Sequence, residues 1–280
     1  MDRIPRPVAP ISVVIPAHNA EAFLEEAIVS VSSQTLRSSE IIVIADACSD
    51  RTSEIAAALD VKVIEIHRKN MSAALNVGVQ AAAQPWIAFL DADDLWKPEK
   101  LAAQWRATEA FPAAGLVSCD YAQFNDAGTE PVLARSLAGS DHVVSKQLGS
   151  CSFIERVTGD LLSRLNLSTI CAMVPREVFD RVGLFNEDLI FGQTSEFFAR
   201  VLARYPFAFV AEPLAVHRRH DHNHTRDLEG YRSSYVTIIN EMLRHPERYP
   251  VGAGEAYRTK FKNQFHQFER ALLRARKALN

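Results

Sequence analysis

Apolar, β-branched runs alternate with amphipathic stretches through the N-terminal third of the chain. Ile11-Ser12-Val13-Val14-Ile15 reads as a strand that Pro16 stops. Phe23, Leu24, Ala27, Ile28 and Val31 recur at helical spacing and predict a helix from about Ala20 to Ser33. Glu40 to Ala45 is a second strand, ending at Asp46, and Asp50 and Thr52 open a helix through Leu59. Val61 to Ile66 alternates in part and gives a third strand, and alanine-rich Met71 to Ala82 a third helix. Trp86 to Leu90 is apolar without alternation, as in a strand covered on both faces. Strand and helix in strict turn, with short connections, specify a parallel sheet flanked by helices.

The pattern then loosens. Gly115 to Phe124 predicts a strand leading into a turn at Asn125-Asp126-Ala127-Gly128. Residues 129 to about 158 carry scattered Gly, Ser and Pro without a period and read as a long, partly irregular insertion of the kind that shapes substrate sites. Ser168 to Val174 is expected as a strand, and Pro175 as the first turn of a short helix, Arg176 to Val182, closed by Gly183. Thr194 or Ser195 is expected to N-cap a helix through Ala203. Phe207 to Val210 predicts a last strand, His217 to His224 a histidine- and arginine-rich segment, and the chain from Leu228 a helical tail.

The polar punctuation carries the chemistry. Each predicted strand of the first half ends in polar residues: His18 and Asn19, Asp46, Lys69 and Asn70, and Asp91 and Asp93. In an open α/β sheet these ends converge on one crevice, where ligands bind. Asp91, Asp93 and Asp94 place three acids within four positions after an apolar strand. Burying like charges that close is costly, and a hard divalent cation such as Mg²⁺ or Mn²⁺ cancels them. The competing reading is a solvated acidic turn ahead of a helix that starts near Pro98. Neither G-x-G-x-x-G nor G-x-x-x-x-G-K-[ST] occurs, so neither a dinucleotide fingerprint nor a P-loop is expected.

Composition narrows the class. With 280 residues, 48% hydrophobic and 23% charged, the chain has the make-up of a globular protein, and a net charge of −3 argues against nucleic acid as a partner. The four cysteines, Cys48, Cys119, Cys151 and Cys171, form no C-x-x-C pair and read as reduced, mostly buried thiols. Residues Met1 to Pro10 lack the apolar core of a signal peptide, and no apolar run approaches the roughly 20 residues that span a bilayer. The expectation is a cytoplasmic protein that meets a membrane, if it does, peripherally on its inner face.

A set of motifs in fixed order then carries a resemblance. Ile11 to Asn19 is similar to an opening strand and IPxxN turn, and Ser30 to Thr35 to an SvxxQT helix end. Asp46 with Ser49 and Asp50 resembles a DDGSxD segment, Ala74 to Gly78 an ARNxG segment, and Asp91 to Asp94 a DxD element. Met173 to Phe179, followed by Gly183 and Phe185, resembles the block before a catalytic helix. Together these resemble the family 2 glycosyltransferases over about Ile11 to Thr225, and the resemblance implies a GT-A fold: a mostly parallel central sheet flanked by helices. It divides the chain into a domain of residues 1–225 and a C-terminal helical extension of residues 226–280. Within the domain, about 10–110 form a nucleotide-sugar-binding half and about 111–225 an acceptor half.

The resemblance also implies roles. Pro16, His18 and Asn19 would line the nucleoside, and Asp46 would accept the N3–H of a uracil. Lys69, Asn76, Asp91 and Ala92 would contact the donor. Asp93, assisted by Asp91 and by His220, would hold Mn²⁺ or Mg²⁺ against the diphosphate, with His222 and His224 as alternatives to His220 and Arg218 and Arg219 facing the phosphates. The sequence departs from the family at Ala45, where the first of two acids is usual, at Leu75, where an arginine is usual, and at Gln193-Thr194, which take the place of a catalytic acid pair. The nearest acid, Glu196, is the candidate general base, with Asp188 and Glu187 behind it. The implied activity is metal-dependent, inverting transfer of a sugar from a nucleotide sugar, a UDP-sugar first, to a glycan, lipid-linked, peptide or small-molecule acceptor. The alternative is a nucleotide-sugar-binding protein of the same fold impaired in transfer; a nucleotidyltransferase is a third reading. Phe261, Phe265, Phe268, Leu272 and Leu273 give the tail a helical apolar face. That face suits a homodimer or domain contact, or a basic amphipathic helix on an anionic membrane.

Overall fold

The computed structural model describes residues 6–125, 132–134, 144–220 and 228–264. Its first half runs β1 (Val8–Ala17), α1 (Leu24–Ser32), β2 (Arg37–Asp46), α2 (Thr52–Ala57), β3 (Lys62–Ile66), α3 (Met71–Ala81) and β4 (Trp86–Phe89). These strands lie in the order β3-β2-β1-β4, every neighbouring pair parallel. The non-alternating runs have their physical reason here. Ile11, Ser12, Val13, Val14 and Ile15 are all fully buried, because helices cover both faces of the sheet. Val14, Ile42, Ile44 and Phe89 meet Leu75 and Val79 of α3 on one face, and Val13, Ile15 and Val43 meet Leu24, Ile28 and Val31 of α1 on the other. Helix α3 approaches β1 so closely that a Cβ on Gly78 would stand 2.2 Å from Val14 Cγ1.

The second half adds β5 (Leu95–Trp96), α4 (Lys100–Ala110), β6 (Leu116–Asn125), β7 (Val132–Ala134), β8 (Lys146–Leu148), β9 (Cys151–Ile154), α5 (Gly159–Arg164) and β10 (Met173–Pro175). Then follow α6 (Arg176–Val182), α7 (Gln193–Leu202), β11 (Phe207–Arg219), α8 (Leu228–Arg244) and a final helix, α9, over residues 253–264. The sheet continues as β4-β10-β6-β11-β9-β8, with β5 paired to β11 and β7 to β6. Strand β10 is antiparallel to both β4 and β6, so polarity reverses at the join between the halves.

Several expectations are corrected. Ser168 to Val174 is not one strand: Thr169–Cys171 form a 3-10 turn before β10. The Trp96 indole N–H donates to the Ile170 carbonyl and the Gln104 amide to that of Cys171, giving the turn's carbonyls partners outside the sheet. Pro175 closes β10 and sits at the N-cap of α6, not in its first turn. Helix α7 begins at Gln193 behind Gly192, not behind Thr194 or Ser195. Gly192 has φ +72°, and a Cβ there would stand 2.7 Å from Ile238 Cδ1, so any other residue is strained where α7 starts against α8. Strand β11 runs on to Arg219, drawing His217 and Arg218 into the sheet. The stretch read as irregular contains β8 and β9, which pair with each other and extend the sheet beyond β11.

Tyr235, Ile238 and Met242 of α8, with Tyr249, Tyr257 and Phe261, share a hydrophobic layer with α5, α6 and α7. The described part of the C-terminal extension is thus built onto α5, α6 and α7. The expected domain boundary at residue 225 and the tail residues from Phe265 onward lie outside the described residues. No described helix is long and apolar enough to cross a membrane.

Candidate functional site

Strands β1, β2 and β4 end side by side, and each hands the chain to a polar turn. Strand β1 runs through buried Pro16 to Ala17 rather than stopping at the proline, and His18 and Asn19, just beyond it, are exposed. The His18 ring N–H at Nδ1 donates to the Asp46 carbonyl at 2.6 Å, and Asn19 Oδ1 accepts the Ser49 N–H at 2.8 Å. Asn19, Ala47 and Lys69, one at each of three neighbouring strand ends, take positive φ near +50°. Non-glycine residues seldom adopt that conformation, and such strain concentrates at functional sites.

Asp46 is nearly enclosed, and its carboxylate clasps the turn after β3. Oδ1 accepts the N–H groups of Arg68 and Lys69, at 2.7 and 2.9 Å, and Oδ2 that of Asn70 at 2.8 Å. Burial pushes this acid's pKa up, but those three donors outweigh it and hold the group below its ordinary value. Most of the carboxylate is spent on backbone, leaving less for a base than the resemblance implies. Lys69 is exposed beside it. Asn76 also stands elsewhere than expected. Its amide is 4% exposed, donates to the Phe185 carbonyl and to Glu187 Oε1, and accepts the Phe185 N–H. Together with Asn70, which donates to the Glu187 carbonyl, and Arg68, which pairs with the Glu187 carboxylate at 2.7 Å, it bolts the 185–187 loop across the start of α3.

At the end of β4, Asp91 and Ala92 are largely enclosed and Asp94 is fully buried. Burial and then the neighbouring Asp93 raise Asp91 to about 7, and burial and then Asp91 raise Asp94 well above a carboxylate's ordinary value. Asp94 Oδ1 accepts the Arg218 N–H at 2.8 Å, which ties β11 to the acidic turn, while Oδ2 is buried with no hydrogen-bond partner among the described residues. Asp93 reaches His220 Nε2 at 2.9 Å, and the His220 ring stacks on Phe23 at 4.7 Å. His217, which sequence reasoning passed over, stands behind them. Its Nδ1 is buried with no hydrogen-bond partner among the described residues, and burial, against the opposing pull of Asp93, lowers its pKa. No signal in the sequence separates it from its neighbours; only the extension of β11 aims it inward.

This donor set suits a hard divalent cation. Asp93 and His220 offer the oxygen and imidazole donors such a cation accepts, beside the enclosed carboxyls of Asp91 and Asp94. Asp93 and His220 are already paired, yet no group of three or more His, Cys, Asp or Glu is drawn together at metal-binding distance among the described residues. His222 and His224 lie outside the described residues. Arg218, expected to face the phosphates, is engaged by other groups. Its guanidinium pairs with Glu26 and lies over the rings of Phe23 and Phe124.

Glu196 is the clearest correction. It lies in the core at 3% exposure, held by Arg200 through two contacts of 2.7 and 2.8 Å, and it accepts the Tyr249 hydroxyl at 2.8 Å. A carboxylate so engaged cannot reach an acceptor hydroxyl. At the positions of the missing acid pair, the Thr194 and Thr169 hydroxyls share a hydrogen bond of 2.7 Å, and Gln193 Oε1 is buried with no hydrogen-bond partner among the described residues. Asp188 is exposed on the loop before α7, and its carboxylate has no partner among the described residues.

Known proteins agree with this architecture. The profile of the family described as "Glycosyl transferase family 2" matches residues 12–183. A Bacillus subtilis protein named uncharacterized glycosyltransferase EpsJ is 32% identical over 196 residues, which cover 67% of this chain and 54% of that one. The chain therefore spans about half the length of that relative. An uncharacterized glycosyltransferase of Rickettsia typhi is 25% identical over 241 residues, covering 84% of this chain and 73% of that one. Among solved structures, S. aureus TarS in complex with UDP-GlcNAc superposes with a TM-score of 0.66 at 17% identity, covering 83% of this chain and 66% of that one. The mannosyltransferase PcManGT of Pyrobaculum calidifontis, in complex with GDP-Man and Mn²⁺, gives 0.63 at 20% identity, covering 91% and 73%. At such identities these two bear on the fold alone, which is the GT-A fold.

Proposed function

The chain belongs to glycosyl transferase family 2, and on that premise we propose that it transfers a sugar from a nucleotide sugar, a UDP-sugar first, to an acceptor hydroxyl with inversion. The observation that carries this reading is the Asp93–His220 pair at 2.9 Å, beside the raised Asp91, where strand ends converge. Pro16, His18 and Asn19 line the nucleoside, and the remaining acceptor capacity of Asp46 meets the base edge. Lys69 faces the diphosphate. A divalent cation held by Asp91, Asp93 and His220 supplies, when bound, the positive charge that a departing diphosphate needs.

Asp188 takes the acceptor proton in this reading. Its carboxylate is exposed on the loop ahead of α7 and, among the described residues, is engaged by no ion pair or hydrogen bond. The bolts from Asn70, Asn76 and Arg68 onto residues 185–187 set the loop that bears it. Peripheral membrane contact and a homodimer through the C-terminal helix remain part of the proposal for a lipid-linked or glycan acceptor.

Incubation of the chain with a panel of nucleotide sugars and Mn²⁺, with and without chelator, tests the proposal. Metal-dependent release of nucleoside diphosphate that Asp93→Ala abolishes supports it. Undiminished release in chelator, or by Asp93→Ala, overturns it. A second reading, donor binding without transfer, is favoured by the engagement of Glu196 and by threonine at position 194. Tight donor binding with no turnover on any acceptor distinguishes it.

A further inference from the structure

A separate cavity of about 170 Å³ lies in the acceptor half, between the first turn of α7, the segment 162–167, and helices α8 and α9. It is well under the roughly 300–1,000 Å³ of pockets that enclose drug-sized ligands, so it holds a single ring. Tyr231, Tyr235, Tyr257 and Phe261 wall it. The Tyr235 hydroxyl lies 3.3 Å from Ser195 Oγ, the residue after Thr194, and Burial with Tyr235 nearby keeps the Tyr231 and Tyr257 hydroxyls protonated, as donors. Asn166 adds an amide at the rim, which donates to the Tyr121 hydroxyl at 3.0 Å. Tyr121 in turn meets His217 edge-on, so two successive contacts link the cavity rim to His217.

One charge enters this cavity. Lys260 is partly buried in its lining, and no carboxylate pairs with it among the described residues. Burial lowers its pKa, with no opposing acid to restore it. Its ammonium lies 5.8 Å from the centre of the Tyr257 ring, and a desolvated ammonium with no paired carboxylate gains from an anionic ligand. Phenol, serine and amide groups around one small volume suit a ligand with several hydroxyls, and aromatic walls suit the apolar C–H face of a pyranose.

We infer that the cavity between α7, α8 and α9 is an acceptor subsite for a single acidic sugar residue, its ring against the tyrosine walls and its carboxylate on Lys260. The inference rests on the transferase reading above and names the class of acceptor: a saccharide carrying a uronate. It also gives the C-terminal helices a purpose, since Tyr231, Tyr235, Tyr257, Lys260 and Phe261 all come from them.

The test is titration calorimetry of the full chain with methyl glucuronide and with methyl glucoside, which differ in the carboxylate alone, each with and without UDP. The glucuronide is expected to bind about tenfold more tightly, the worth of one charge-assisted hydrogen bond. Lys260→Gln, folded by its thermal transition, is expected to erase that preference and leave glucoside binding unchanged. Ser195→Ala is expected to weaken both ligands. Equal affinities in the wild type, a preference that survives Lys260→Gln, or competition of the glucuronide with UDP would each overturn the inference. Glucuronide binding with no UDP binding would instead leave this site standing and sink the donor reading.

Discussion

Arg200 and Glu196 stand one turn apart on α7 and close a two-pronged ion pair in the core, each 3% exposed. The same guanidinium donates to the carbonyls of Val182 and Leu184 behind α6, and Tyr249 from the C-terminal extension completes the carboxylate. The pair therefore joins α7, the turn after α6 and the C-terminal extension. Removing one partner strands a buried charge. Glu196→Ala is expected to cost roughly 3–5 kcal/mol in urea unfolding, against about 1 kcal/mol for Tyr249→Phe. If Glu196→Ala unfolds like the wild type and loses turnover alone, the residue is catalytic after all.

The contact between Asp93 and His220 predicts how metal and activity respond. His220→Gln is expected to weaken Mn²⁺ binding by about 10–100-fold, and Asp93→Ala to abolish it, as read by titration calorimetry. Chelator followed by excess Mn²⁺ is expected to remove and then restore turnover in the wild type. Unchanged Mn²⁺ affinity in both variants would exclude the site.

Asp46 predicts an acid-sensitive clasp. Its pKa is lower in the folded chain than the ordinary 3.8, so its contribution is complete above that value and is lost as pH falls through the folded one. Asp46→Asn replaces acceptors with an amide donor against backbone N–H groups and is expected to cost about 1–3 kcal/mol at neutral pH. The gap between variant and wild type should narrow as the carboxylate titrates. A constant gap in urea unfolding across acid pH would refute this.

Lys100 behaves in the opposite sense. It is fully buried, its ammonium donates to Gln104 Oε1 at 2.7 Å and lies 3.8 Å from the centre of the Trp96 ring, and burial pulls it down to about 8. Between that value and 10.5 the unfolded chain holds a proton the folded chain has released, so stability rises with pH there. Relative to Lys100→Met, the wild type is expected to gain on the order of 3 kcal/mol across that window. Parallel pH profiles of the two would show that Lys100 keeps its ordinary pKa.

Gly78 tests the packing of α3 on β1. A mid-helix Gly→Ala change ordinarily gains up to about 1 kcal/mol. Here the new methyl meets Val14, so Gly78→Ala is expected to be destabilising by about 1–3 kcal/mol, and pairing it with Val14→Ala should recover part of the loss.

Sequence alone determined the parallel, N-terminal half of the sheet. Its strands, their parallel order and the polar strand ends follow from apolar runs and short connections, because a strand covered on both faces leaves an unbroken hydrophobic signature that local reading detects. It also placed Asp93 and His220 in one candidate site, since ordered motifs carry that information. Tertiary structure alone decided what each polar group is for. Glu196, Asn76, Asp46 and Arg218 look alike in sequence as free polar residues, yet three close bonds across more than a hundred residues or onto neighbouring strands, and Glu196 is sealed by a tyrosine from the C-terminal extension. Whether a carboxylate is a base or a bolt depends on burial and on partners distant in the chain. Those are properties of packing, and no local pattern records them.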